Sequence, residues 1–354
     1  MMKTGCTLQS LAQELERQQH AKKDLVLASS LMRHSTDEQG QTQLLVNEQQ
    51  GLTRYGVTPL ARQQLAEKLR IPFTYFERMR HSEPVLLDRN VNTWLKSGER
   101  RMLRTLDGKV RAVLSERYRR LDNYALADCV LPLLQQLPQV QFMSVQLTDT
   151  RMYLKCVTPR LHYEVAPGDV VQAGVVISNS EVGHGCLLVQ PLLYRLICRN
   201  GLIASDPTLR KTHLGRVAVD DEAVLTVFQD DTLRADDQAF FLKVRDVVQA
   251  AVSEVTFRQL AQKLQKTRGI PLTGNPVCTV EVLGQRFGLN EGERSGVLCH
   301  LIQGGELSGY GLANAVTHYS AEVEDYDRAT DLEALGGKLI ELPSREWKQL
   351  AEAA

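Results

Sequence analysis

The chain has 354 residues, 43% of them hydrophobic and 24% charged. That is the composition of a globular protein with one large domain or two to three ordinary ones, and it excludes a disordered or fibrous chain. With 42 basic and 42 acidic residues the formal net charge is zero, which excludes an all-over cationic coat but leaves room for a local basic groove.

The first residues, MMKTGCTLQSLAQELERQQ, are polar and amphipathic. They lack the apolar core of a signal peptide, and no run approaches the ~18 apolar residues of a membrane span. A cytoplasmic protein without membrane association is expected. Residues 7–20 predict a helix, and short strands are expected near Leu25–Ala28 and Gln43–Val46. In TPLARQQLAEKLRIPFTYFERMR, Thr58 caps a helix that has Pro59 at its first position, and Ile71-Pro72 ends it. A second helix runs through Tyr75 to Met79, and residues 84–96 predict a third.

Next comes a hairpin. RMLRTL and KVRAVLS are joined by Asp107-Gly108, a two-residue turn signal. Strict alternation sets Arg104 opposite Arg111. Leu103, Thr105, Val110, Ala112 and Leu114 then face a core, and Arg104, Lys109 and Arg111 face solvent. From Arg100 to Arg120 there are eight basic residues and two acidic ones, an unusual local excess in a neutral chain. Two arginines opposed across a sheet repel each other. A phosphate between them reverses that, because arginine grips phosphate through a planar fork. The expected phosphate contacts are Arg101, Arg104, Lys109, Arg111, Arg117, Arg119 and Arg120. Tyr118 and Tyr124 are the expected stacking rings, as on platforms for single-stranded nucleic acid. The alternative is that these arginines pair with acidic residues elsewhere in the chain.

The helix DNYALADCVLPLLQQL follows, with Asp122 as its cap. A second hairpin pairs VQFMSVQL with RMYLKCVT. A third pairs VVQAGVVIS with CLLVQ across the loop NSEVGHG. PLLYRLICRNGL predicts a short helix opened by Pro191 and closed by Asn200-Gly201. From about Asp220 helical patterns dominate, interrupted by GIPLTGNP. The expected class is α+β: a mostly antiparallel sheet of hairpins with packed helices, then a helical C-terminal region. Three regions are expected: 1–50, an N-terminal helix with short strands; 51–218, the α+β core with the basic hairpin; and 219–354, mainly helical.

The seven cysteines contain no CxxC pair and the eight histidines no metal-ligand spacing, so neither metal nor cofactor is expected. There is no phosphate-binding loop and no nucleophile elbow. Cys198 is a conceivable nucleophile to which the sequence assigns no general base. Residues 58–80 also have the spacing of a helix-turn-helix, with Arg70 where the usual turn glycine would stand.

Several stretches together resemble the phage- and plasmid-like proteins catalogued as domain of unknown function 932. They are IPFTYFERM, RTLDGKVRAVLSERYRRLDN, the pair GVVISNSEVGHG and YRLICRNG, and GLANAVTHYSAEVEDYDRATDLEALGG. The resemblance spans about residues 50 to 340 and implies a role in the DNA metabolism of mobile elements, with no catalytic residues attached. Its most pattern-like positions are Arg104, Arg111, Ser115, Tyr118, Arg119, Asp122, Asn123, Asn179, Arg195, Cys198, Asn200, Gly201, Asn314 and Thr317. The leading expectation is a non-enzymatic, self-assembling protein that binds single-stranded DNA or anneals strands in replication or recombination. The alternatives are a helix-turn-helix regulator and an enzyme that clamps a phosphorylated substrate with the basic hairpin.

Overall fold

A computed structural model describes residues 2–118, 120–204 and 230–353, with the backbone alone for 230–238. The class is α+β: two sheets, with a helical region closing the chain.

Helix α1 (Leu8–Ala21) starts where the Thr7 hydroxyl accepts from the Ser10 amide. Strands β1 (Lys23–Ala28), β2 (Met32–Thr36), β3 (Thr42–Glu48) and β4 (Gly51–Val57) follow. Of these, the sequence suggested only β1 and β3. Helices α2 (Pro59–Lys68), α3 (Phe73–Ser82) and α4 (Pro84–Leu95) come next. The Thr58 cap is real: its hydroxyl accepts from the Ala61 amide. The α2–α3 turn needs a left-handed residue, and Arg70 supplies it at φ 56°. Ala66, Ile71, Phe76 and Met79, the residues that gave the helix-turn-helix spacing, are buried in the core beneath the sheet.

Strands β5 (Arg100–Leu106) and β6 (Lys109–Ser115) form the basic hairpin. Asp107 at φ 49° and Gly108 at φ 70° make its turn, as a type I′ connection requires. The first sheet has the order β1-β5-β6-β4-β3-β2 and is antiparallel apart from the short β4–β6 pairing. Strands β3 and β4 pair across residue 50, so the expected boundary there cuts through one sheet.

The second sheet, antiparallel throughout, has the order β11-β10-β9-β8-β7. Its strands are β7 (Gln141–Leu147), β8 (Met152–Ala166), β9 (Asp169–Asn179), β10 (Leu188–Arg195) and β11 (Asn200–Ile203). The expected helix over PLLYRLICRNGL is instead the β10–β11 hairpin. Helices cover this sheet on both faces, so its strands read as unbroken apolar runs that periodicity cannot tell from a buried helix. One face packs on α1, α5 (Asn123–Gln135) and α6 (Asp230–Ala251), through Leu11, Leu126, Val130, Ile177 and Val244. The other packs on α7 (Glu254–Lys266), α10 (Gly309–Tyr319) and α11 (Tyr326–Ile340), through Val171, Leu193, Leu260 and Val316. Helices α8 (Pro276–Phe287), α9 (Glu291–Gly304) and α12 (Ser344–Ala351) complete the C-terminal region. Among the described residues, no helix is long and apolar enough to cross a membrane.

Candidate functional site

The basic hairpin departs from its expected register at one residue. Leu106 pairs with Lys109 and Thr105 with Val110, but Arg104 pairs with Ala112 and Leu103 with Val113. Arg111 is the extra residue of a β-bulge, which puts it and the next residue out of alternation. Leu103, Val110 and Val113 therefore face the helices. Ala112 and Leu114 join Met102 on the opposite face, against Val182 and Tyr118. The expected solvent face is thus covered by the 180–185 loop, which reaches across from the second sheet.

That loop overturns the expected exposure of Arg104, whose side chain is fully buried. Its Nε donates to Asp24 Oδ1 at 2.9 Å and its Nη2 to Asp122 Oδ1 at 2.6 Å. Its Nη1 donates to the Glu181 carbonyl at 2.9 Å. Arg111 pairs with the Glu181 carboxylate, whose other oxygen accepts from the Asn123 amide at 2.5 Å. Lys22 holds the second oxygen of Asp122 at 2.6 Å, so this carboxylate bridges two cations and makes no side-chain cap on α5. Asn179 ties β9 to α5 through Asn123 at 2.8 Å. The two arginines are opposed by carboxylates, and the network joins both sheets. Among the described residues, this is the alternative in which hairpin arginines find acidic partners within the chain.

The remaining expected residues divide. Arg101 pairs with Glu99, and Arg120 with Asp24 at 3.1 Å. Lys109 and Arg117 are exposed. Tyr118 does not stack outward: it is half-buried, and its hydroxyl donates to the Ser180 carbonyl at 3.3 Å. Tyr124 is exposed at the start of α5. Arg119 lies outside the described residues.

Burial pushes the Asp122 carboxyl up, but the Arg104 charge and the bonds from Lys22 and Arg104 outweigh it and hold it below the usual range. Asp169 is likewise held low, its burial outweighed by the bonds from Arg195 and Tyr310. A carboxyl with a depressed folded-state pKa contributes stability above its unfolded pKa and loses it as pH falls through the folded value. The thermal midpoint is therefore expected to hold at neutral pH and to fall below about pH 4. A midpoint flat down to pH 2 would show that these pairs contribute nothing.

Half of the first sheet lies beyond the loop. There Arg33 pairs with Leu45, and Leu45 with Arg54, across β2, β3 and β4. Their neighbours His34, Leu44 and Tyr55 are buried on the helix side, so Arg33 and Arg54 share the opposite face. Lys109 joins them, because a Cβ on Gly56 would lie 3.4 Å from its Cγ. Arg33, Arg54 and Lys109 are exposed, and none makes an ion pair among the described residues. Gln43, Asn47 and Leu52 complete this face, which carries no carboxylate between β2 and β4. Sequence reasoning missed Arg33 and Arg54 because β2 and β4 went unrecognised, although MRHST and GLTRYGV alternate.

A cavity of about 240 Å³ lies between the β10–β11 turn and helices α9 and α10, lined by Arg195, Cys198, His300, Asn314 and His318 among others. It gathers positions that stood out in the sequence from chain segments far apart. Arg195 pairs with Asp169 at 2.6 Å and lies 5.2 Å from the Tyr310 ring. Its Nη1 donates to Cys198 Sγ at 3.3 Å. Asn200 donates to Thr317 at 2.6 Å. A Cβ on Gly201 would stand 2.9 Å from Leu192 Cδ1, which explains the glycine. Among the described residues no group of His, Cys, Asp and Glu could hold a metal ion.

No protein-family model, no curated protein and no solved structure matches this chain.

Proposed function

We propose that the protein binds nucleic acid, with an extended single strand lying across the open face of the six-stranded sheet. The observation that carries this is the set of exposed cations Arg33, Arg54 and Lys109, which make no ion pair among the described residues and of which Arg33 and Arg54 lie on the part of the face, between β2 and β4, that carries no carboxylate. Arg33 and Arg54 stand two strand spacings apart, about 10 Å. That separation lets one flexible backbone touch both. Leu45 lies between them and Leu52 at the edge, giving apolar surface for bases. The contact set differs from the one expected: Lys109 stays, whereas Arg104 and Arg111 hold the sheets together. The resemblance to phage and plasmid proteins supports strand annealing in replication or recombination of a mobile element, a task that needs several protomers along one strand.

The test is binding of labelled random-sequence single and double strands across a salt series. Salt-sensitive binding that favours single strands is expected. Changing Arg33, Arg54 and Lys109 together to Ala should flatten the slope of log affinity against log salt by about 2, at roughly 0.7 per lost phosphate contact. No binding at low salt, or a slope the triple variant leaves unchanged, would overturn the proposal.

A further inference from the structure

We infer that the protein forms a two-fold dimer in which β1 of one copy pairs antiparallel with β1 of a second copy, joining the two six-stranded sheets edge to edge. The contact needs no nucleic acid and is independent of the reading of the open face. What points to it is the unequal finish of the two edges of that sheet, β1 and β2.

A sheet edge presents a row of backbone groups that can take up another strand, and natural proteins block it where pairing is unwanted. The β2 edge is blocked along its length. The His34 amide donates to Asn92 Oδ1 at 2.7 Å, and Asn92 Nδ2 donates back to the His34 carbonyl at 2.9 Å. The Thr36 amide donates to Asp88 Oδ2 at 2.8 Å, and the Met32 amide to the Ser29 carbonyl. Side chains of α4 thus stand in for a further strand.

The β1 edge has no such cover. The Thr105 hydroxyl donates to the Lys23 carbonyl at 2.9 Å, and the Ser29 amide donates to the Glu99 carbonyl at 2.9 Å. Lys23, Leu25, Leu27 and Ser29 therefore turn their backbone groups toward β5. Alternation points those of Asp24, Val26 and Ala28 away from the sheet, and they have no partner among the described residues. KDLVLA contains no proline, glycine or bulge, and its lysine is tied to Glu48. The core is open here too. Leu25 and Leu27 reach it only half-buried, whereas Met32 and His34 at the β2 edge are buried. Val26, on the other face, is 42% exposed.

The occupant follows from the register. Asn92 and Asp88 close β2 to the β1 of another copy, so the edges cannot join head to tail. Antiparallel partners must set like faces together and outward-pointing residues opposite one another. The longest overlap of β1 with itself that meets both conditions is centred on Val26. Val26 then faces Val26 of the second copy, Leu25 faces its Leu27, and Asp24 its Ala28, both ways round, as a two-fold contact requires. No like charges are opposed, and Asp24, Val26 and Ala28 satisfy one another's backbone groups across the axis. The axis runs perpendicular to the sheet, so both copies present the same face on the same side.

The full chain, free of nucleic acid, would be sedimented over roughly 1–100 µM. A dimer that builds with concentration is expected. Val26→Pro removes an outward amide and leaves the β5 ladder intact, as an edge strand tolerates. It should raise the dissociation constant at least tenfold while the thermal midpoint holds. Val26→Lys, at an exposed position, is the second variant and should do the same by opposing two ammonium groups. Residue-resolved hydrogen exchange identifies the edge. The amides of Asp24, Val26 and Ala28 should gain protection with concentration, while those of Leu25 and Leu27 stay protected throughout. A chain still monomeric at roughly 100 µM, or a dimer that both variants leave unchanged, would overturn the inference; a monomer would give the edge to a strand of another protein.

Discussion

Replacing Arg104 with Met is expected to lower the unfolding free energy by about 3–5 kcal/mol, measured by urea unfolding, because it strips partners from buried charges. The guanidinium holds Asp24, Asp122 and the Glu181 carbonyl at once. Its loss leaves Asp24 with the exposed Arg120 and Asp122 with Lys22. Arg104→Lys should recover only part of the loss, since a single ammonium cannot reproduce the planar fork that reaches β1, α5 and the 180–185 loop together. A loss below about 1 kcal/mol, the scale of an exposed ion pair, would show that the network is decorative. The same experiment separates scaffold from site. If Arg104 acted on nucleic acid, its loss would weaken binding in proportion to salt. As a bolt between the sheets, it should lower stability and leave the salt slope of the folded fraction untouched.

The second large effect is expected at the other face of the second sheet. Lys155 on β8 and Glu333 on α11 form an ion pair with both side chains fully buried, 2.6 Å apart. Thr330 accepts another Lys155 proton at 2.9 Å, and the Tyr326 ring lies 4.8 Å from the ammonium. Glu333 keeps one oxygen buried without a hydrogen bond, and burial pushes its carboxyl above the usual range despite Lys155. Lys155→Met alone strands that carboxylate and should cost about 3–5 kcal/mol. The double change Lys155→Met with Glu333→Leu should recover all of that loss and can exceed the starting stability by about 1–4 kcal/mol, because the desolvation cost disappears with the charges. Calorimetry of the two variants checks both numbers. A double variant as unstable as the single would show that the pair itself, and not its desolvation, dominates.

These two arginine and lysine sites mark where the sequence stops being informative. Local chemistry was legible: Thr58 and Pro59 opening α2, Asp107-Gly108 turning the hairpin, and the alternating strands of the second hairpin all act within a few residues of themselves. Arg104 was legible as unusual but not as buried, because its partners lie 80, 18 and 77 residues away. The bulge at Arg111 has no glycine to announce it and moved Ala112 and Leu114 to the other face. PLLYRLI read as helix because covering a sheet on both sides erases its period of two. The cavity residues were singled out one at a time, as turn and cap types. Their convergence depended on α9 and α10, whose His300 and His318 lie more than a hundred residues downstream of Cys198.

The Lys155–Glu333 pair also has a consequence for synthesis. Its partners are 178 residues apart in the chain. At 5–20 residues per second on a ribosome, the ammonium is made roughly 10–35 s before its counter-charge exists. Throughout that interval the β-strand carrying it presents a face whose covering helix is not yet made. The nascent chain must therefore keep this sheet soluble without its lid, and the last helices act as the closing step that commits the protein to its final state.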